Sequence, residues 1–200
     1  MKRTNTRLCG IDESGRGALA GPLVAAAVIL TNSLVTIKGR LRSLVKDGKL
    51  LNPLQRLRIY RALKKLKTEM HVEVISARSI NNHGIGWANR EVMRRLIRKI
   101  DADKYIIDGK LKLGKIRGKT HRITSIIDAD ATIPEVILAG IVAKVERDKL
   151  MRGLHKQFPK YKWKTNAGYG TENHIRLIRK HGTTYLHRSI FITTALKKIS

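Results

Sequence analysis

The chain has a single cysteine, Cys9, which excludes an internal disulfide and a cysteine-based zinc site. Cys9 is expected to pack as a small apolar residue. No long hydrophobic run is present either. The longest, Leu19 to Leu30, falls short of the ~20 residues a membrane span needs. It also follows Asp12, Glu13 and Arg16, the wrong flank for a signal peptide, so the expectation is a cytoplasmic protein with no membrane partner. Repeats, low-complexity tracts and long flexible linkers are missing too. Acidic residues are few beside the basic ones: 15 Asp and Glu stand against 42 Lys and Arg, a formal charge of +27. A surface so short of acids attracts polyanions and releases their counterions on binding.

Part of that charge is concentrated. Between Lys38 and Lys67 there are eleven Lys or Arg and one acid, Asp47. Charge alone would suit a ribosomal-type binding protein as well as an enzyme; it indicates the partner and not the chemistry.

Against this background Gly10-Ile11-Asp12-Glu13-Ser14-Gly15-Arg16-Gly17 stands out. It sets two adjacent carboxylates at the end of an apolar strand, followed by a glycine turn whose amides can approach a phosphate or sugar. A metal-dependent phosphodiester-cleaving site needs such a combination.

The 200 residues suit one domain, and 42% hydrophobic content supplies a core. Residues 7 to 12 and 23 to 30 read as strands, the second so uniformly apolar that it belongs at the centre of a sheet. Asn52-Pro53 opens a helix with Leu54, Leu57, Leu63 and Leu66 at helical spacing. A strand is expected over 71–77, an amphipathic helix over 88–100, a short strand over 105–109 ending in Asp108-Gly109, and a further strand over 121–127. A long helix can run from Pro134 to Gln157. From Pro159 on the chain is richer in Gly, His and aromatic residues, a small helical portion in which Thr171 caps a helix that Gly182 stops. This order predicts an α/β mixed sheet flanked by helices.

Asp12, Glu13 and Asp108 each end a strand, where neighbouring side chains can converge. Asp128 and Asp130 follow another strand, and one of them can join. Carboxylates without His or Cys ligands favour a hard cation, Mg²⁺ or Mn²⁺, and two such ions can drive in-line attack on phosphorus. A lone aspartate at a strand end can equally cap the next element.

The run from Gly10 through Val28 closely resembles the opening of type 2 ribonucleases H, and within them ribonuclease HII. Asp47-Gly48-Lys49, Ile106-Ile107-Asp108-Gly109, Ala143-Lys144-Val145-Glu146-Arg147-Asp148, Tyr161, Gly168-Tyr169-Gly170-Thr171 with His174, and His187-Arg188 continue the likeness in order and spacing. The resemblance implies a ribonuclease H-like fold with a five-stranded mixed sheet, a catalytic core over 1–158 and a C-terminal helical portion over 159–200 that closes over the substrate within one integrated domain. It implies an endoribonuclease leaving 5′-phosphomonoesters, which hydrolyses RNA in RNA/DNA hybrids and nicks duplex DNA 5′ of a single embedded ribonucleotide, in ribonucleotide removal. Asp12, Glu13, Asp108 and Asp130 would be the catalytic, metal-holding carboxylates for two divalent ions, Mn²⁺ or Mg²⁺. Gly15, Arg16 and Gly17 would meet the 2′-hydroxyl and Tyr169 would stack on the following sugar; Lys49, Lys144 and Arg188 would lie near phosphates. Arg147 and Asp148 are expected to be structural, and His187 either structural or a phosphate contact.

The family usually has serine where this chain has Gly48, Gly140 and Ile190, and lysine where it has Ala167. None of these departures removes a carboxylate. The chain is expected to be monomeric. Two alternatives stay open: a non-catalytic basic nucleic-acid-binding protein, which would not explain acids held inside a positive surface, and a ribonuclease HIII-like enzyme acting on hybrids only.

Overall fold

The computed structural model describes residues 6–30 and 51–197. Five strands form one sheet: β1 (Leu8–Ser14), β2 (Leu23–Ile29), β3 (Glu69–Ile75), β4 (Lys104–Asp108) and β5 (Ile123–Ile126), in the spatial order β3-β2-β1-β4-β5. β1 to β3 form an antiparallel meander, whereas β4 and β5 add in parallel on the other side of β1. The sheet is therefore mixed, as expected. β2 is buried along its whole length because helices cover both its faces.

On one face lie α2 (Ala77–His83) and α3 (Ile85–Lys99). Val92, Met93, Leu96 and Ile97 of α3 pack on Ile11, Ala25, Ala27, Tyr105 and Ile107. The sequence reading placed one helix over 88–100 and missed α2. Its signal is Ser76, whose hydroxyl caps the helix by accepting from the Ser79 amide at 3.1 Å; a β-rich run just before it masks the cap. Gly84 then separates the two helices.

On the other face lie α1 (Pro53–Lys65) and α5 (Pro134–Gln157), with the short α4 (Ala129–Thr132) leading in. Asn52 and Gln55 close a reciprocal capping box ahead of Pro53. The leucine stripe predicted for α1 is only half right. Leu63 is buried, but Leu54 is 69% exposed and Leu66 44% exposed; Ile59 and Tyr60 supply the rest of the inner face. Tyr60 wins its place because its ring packs on α5 while its hydroxyl reaches Glu146.

α5 approaches β1 closely, and Gly10 makes this possible. A Cβ on Gly10 would lie 2.3 Å from the Glu135 carbonyl carbon and 2.4 Å from the Val136 nitrogen, both main-chain atoms that cannot give way. Gly10→Ala is expected to lower unfolding stability by about 3 kcal/mol in urea titration, an overpacking cost; a midpoint within error of the parent would contradict this approach.

The C-terminal elements α6 (Trp163–Asn166), α7 (Glu172–His181) and α8 (Ser189–Lys197) build a separate cluster. Tyr161, Trp163, Ile175, Ile178 and Ile192 pack with Met151 of α5 and with Leu19 and Ala20 from the β1–β2 turn. Thr171 and Gly182 bound α7 as predicted. The segment after residue 158 thus bears directly on the glycine turn.

Candidate active site

Asp12 and Glu13 are neighbours in β1, so their side chains leave opposite faces of the strand. Asp12 turns toward α5. Glu13 turns toward α3, where the Asn89 amide donates to its Oε1 at 3.4 Å. Asp108 ends β4, which pairs with β1, and its Oδ1 accepts the Asp130 main-chain N–H at 3.2 Å. Asp128 adopts a left-handed backbone (φ 55°) that turns the chain into α4. It is Asp130 that faces a cavity of 230 Å³, together with Asp12, Glu13, Arg56, Gly140 and Lys144.

The acids repel one another. Burial, then the Glu13 charge, then Asp108 and Asp130, push Asp12 up to about 8, although the Glu13 amide donates to its Oδ1 at 2.7 Å and opposes the rise. Burial also raises Glu13, countered chiefly by Arg16, whose guanidinium lies 3.9 Å from Oε1. As they stand, no three His, Cys, Asp or Glu side chains among the described residues close on a single metal position. Asp12 Oδ2 lies next to Gly140, where a Cβ would come within 2.4 Å of it. A serine at 140 would push this carboxylate aside, so the glycine decides where Asp12 rests. The donor chemistry nevertheless fits a hard divalent cation, being oxygen only and mutually repelling until neutralised.

The glycine turn is braced from below by two arginines. Arg188 is fully buried and donates from Nη1 to Gly15 O at 2.7 Å and Arg16 O at 3.0 Å, and from Nε and Nη2 to Gly21 O at 3.0 and 2.9 Å. Arg147, also fully buried, donates to the carbonyls of Pro22, Ala20 and Ala167. Neither has a carboxylate within ion-pair distance among the described residues; main-chain carbonyls carry the compensation. Burial and then the Arg147 charge lower Arg188 to about 9, still cationic near neutral pH. Gly15 has φ 94°, and a Cβ there would lie 1.9 Å from Arg147 Nε, so only glycine fits.

The bracing has a geometric consequence. In a trans peptide the N–H points opposite to the preceding C=O. Because Gly15 O and Arg16 O aim inward at Arg188, the Arg16 and Gly17 amides aim outward, and neither has an acceptor among the described residues. Arg188 therefore does not take the phosphate-facing place expected of it; it shapes the turn that carries Gly15, Arg16 and Gly17.

Tyr169 is half-buried beside this turn, with Lys144 Nζ 5.4 Å and the Arg147 guanidinium 5.1 Å from its ring centre. Gly168 O accepts the amides of Leu19 and Ala20 at 2.8 and 3.1 Å and ties the two turns together. Lys144 lines the cavity while paired with Asp148 at 2.7 Å. Asp148 keeps the structural role expected of it, and Arg147 does so through carbonyls rather than an ion pair.

His174 donates from Nδ1 to Tyr169 O at 2.8 Å and accepts from Trp163 Nε1 at 3.1 Å, a satisfied structural histidine. His187 is buried, accepts the Thr184 amide at Nδ1, and is lowered to about 4 by burial, which makes it neutral and structural. Arg56 and Asn89 were not singled out from the sequence. Arg56 lay in a basic run without distinguishing context, and Asn89 in an amphipathic helix where a polar residue attracts no notice. Lys49 and Gly48 lie outside the described residues.

A mixed five-stranded sheet with acids gathered at the ends of β1 and β4 defines a ribonuclease H-like α/β protein. Comparison with known proteins narrows this. The Ribonuclease HII family profile matches residues 9–194. Proteins named Ribonuclease HII from Anaplasma phagocytophilum and Pelagibacter ubique are each 38% identical, covering 94% and 92% of this chain and 87% and 95% of theirs. The chain belongs to the ribonuclease HII family, type 2 ribonucleases H, whose members are endoribonucleases acting on RNA/DNA. Among solved structures, the ribonuclease HII of an Archaeoglobus fulgidus complex with PCNA superposes with a TM-score of 0.74 at 25% identity, covering 91% of this chain and 93% of that one. A Bst ribonuclease HIII solved with Mn²⁺ shares the fold at 0.74 and 21% identity, covering 96% of this chain and 70% of that one.

Proposed function

We propose that this chain cuts duplex DNA on the 5′ side of an embedded ribonucleotide, as well as the RNA strand of hybrids, with Asp12, Glu13, Asp108 and Asp130 holding two divalent cations, Mn²⁺ or Mg²⁺. The observation that carries the proposal is the pair of outward amides at Arg16 and Gly17, fixed by Arg188 beside the carboxylate cavity. A 2′-hydroxyl both accepts and donates, so it can accept from such amides; a deoxyribose offers nothing in that place. Glycine on either side of Arg16 lets the sugar approach the main chain.

Tyr169, tied to the same turn through Gly168, presents a ring face suited to a sugar lacking the hydroxyl. Lys144 and Arg56 line the cavity and are placed to meet the phosphate that enters it. Lys49 is included in this role from its motif alone. Cations bound by the carboxylates supply an activated water and stabilise the leaving oxygen. Glu13 is held by Asn89 and Asp108 by the Asp130 amide, which limits the rotation needed to receive them. No helix among the described residues is long and apolar enough to cross a membrane. A cytoplasmic monomer working in ribonucleotide removal, with residues 159–200 closing over the duplex, completes the proposal.

The test is a labelled duplex with one ribonucleotide, incubated with Mn²⁺ or Mg²⁺ at near-physiological salt beside an all-DNA control. A metal-dependent nick 5′ of the ribonucleotide is expected, with the control intact. Tight binding without a nick under either metal would favour the non-catalytic alternative. Cleavage of hybrids alone would favour the ribonuclease HIII-like one.

A further inference from the structure

A second basic site lies beyond the carboxylates. Trp87, Arg90, Arg94 and Arg98 recur at helical spacing on α3, and with Lys112 they line a cavity of 350 Å³. Glu91 lines it too, but is spent on Arg95 at 3.1 Å and Arg98 at 3.7 Å, so cations prevail. The loop opposite α3 has the same character: between Asp108 and Asp128 there are six Lys or Arg and no acid. Three cations fix this loop in place. Lys119 donates to the Ile97 and Ile100 carbonyls, Arg122 to Ala102 O, and Arg94 to Leu113 O. Arg90, Arg98 and Lys112 remain exposed on the rim.

Two tethers set the distance from this site to the carboxylates. Asn89, which holds Glu13, lies nine residues before Arg98 on the same helix, a rise of ~14 Å. Lys112 follows Asp108 by four residues, at most ~14 Å even when extended. Successive base pairs rise ~3.4 Å, so ~14 Å corresponds to about four steps of a duplex. Clustered cations around one aromatic face suit a phosphodiester backbone and its sugars, because the charges neutralise phosphates and the ring packs on the apolar sugar edge.

We propose that Trp87, Arg90, Arg94, Arg98 and Lys112 form a second subsite that grips the backbone of the substrate duplex within about four base pairs of the cut. The choice of a nucleic-acid strand as occupant rests on the nuclease reading above; the cavity and its charges do not. The subsite adds affinity and orientation, not chemistry.

The chain has two tryptophans, and the other, Trp163, is fully buried, so a change in emission that Trp87→Phe abolishes reports Trp87. Duplex titrated without metal is expected to quench the emission of the intact chain, and the quench is expected to vanish in Trp87→Phe. The combined variant Arg90→Gln, Arg98→Gln, Lys112→Gln changes exposed side chains only and is checked for an unchanged melting temperature. Its KM for a long duplex is expected to rise about tenfold with the loss falling on KM rather than kcat, and its log–log salt dependence of binding to become shallower by about three. Nicking with Trp87 emission unmoved at saturating duplex, or with KM and salt slope unchanged in the variant, overturns the subsite and leaves the nuclease reading standing. Quenching without nicking supports the subsite and removes the nuclease reading.

Discussion

Asp12→Asn is expected to lower cleavage at least about a thousandfold, ~4 kcal/mol of barrier, while duplex binding measured without metal holds or tightens. The carboxylate lost is the one pushed up to about 8, by burial first and then by its acidic neighbours, and its removal also takes one negative charge from a surface proposed to receive phosphates. A second effect, opposite in sense, is expected in the metal-free protein. The folded Asp12 stays protonated up to about 8, whereas the unfolded one ionises near its ordinary value of 3.8. Between these values the folded state binds more protons, so this group subtracts stability as pH rises from about 4 to about 8. Asn retains the oxygen that accepts the Glu13 amide and carries no such penalty. Metal-free Asp12→Asn should therefore melt above the parent at pH 8, by several kcal/mol of stability, and match it near pH 4. Retained cleavage would remove Asp12 from the metal site; equal melting at both pH values would mean that burial and the neighbouring acids do not raise Asp12 as described.

Arg188→Ala is expected to cost about 3–5 kcal/mol of stability, since it strands the Gly15, Arg16 and Gly21 carbonyls beneath the turn. Lysine should rescue only part of this loss. It brings the charge but not the planar fork that spans two peptide groups at once. A merely structural role would lower activity only through unfolding. Where circular dichroism still finds the variant folded, the positioning role predicts a further fall of about a hundredfold in kcat/KM on the ribonucleotide substrate. The melting shift produced by Mn²⁺, which reports the carboxylates, should persist. A folded variant with full kcat/KM would refute the positioning of the Arg16 and Gly17 amides by Arg188.

What the sequence revealed and what it hid follow from the same physics. Acids at strand ends were legible because the apolar period of β1 and β4 stops at Asp12 and Asp108, and scarce acids in a basic chain are conspicuous. The choice of Asp130 over Asp128 followed from the family likeness; the left-handed backbone at Asp128 could not be read from the sequence. Arg188 was misplaced because a sequence shows charge and not burial, and a fully buried arginine runs against the usual preference of that side chain for the surface. Leu54 and Leu66 were misplaced for the converse reason: their spacing matched a helix face, but α5 covers only the middle of α1. The aromatic-basic stripe on α3 escaped notice because its cations dissolve into a uniformly basic composition until Lys112 closes on them from β4's loop.

The contact from Arg188 to Gly15 joins residues 173 positions apart. While the chain is being synthesised, the β1–β2 turn emerges early, and its inner carbonyls have no Arg188 guanidinium to meet until 173 further residues have been added. A partly synthesised chain would carry its acids and most of its positive charge without the buried guanidinium that braces the Gly15–Gly17 turn. The order of the turn beside the carboxylates is thus fixed only once residue 188 has been made, and a product interrupted before it would keep the acids without that order.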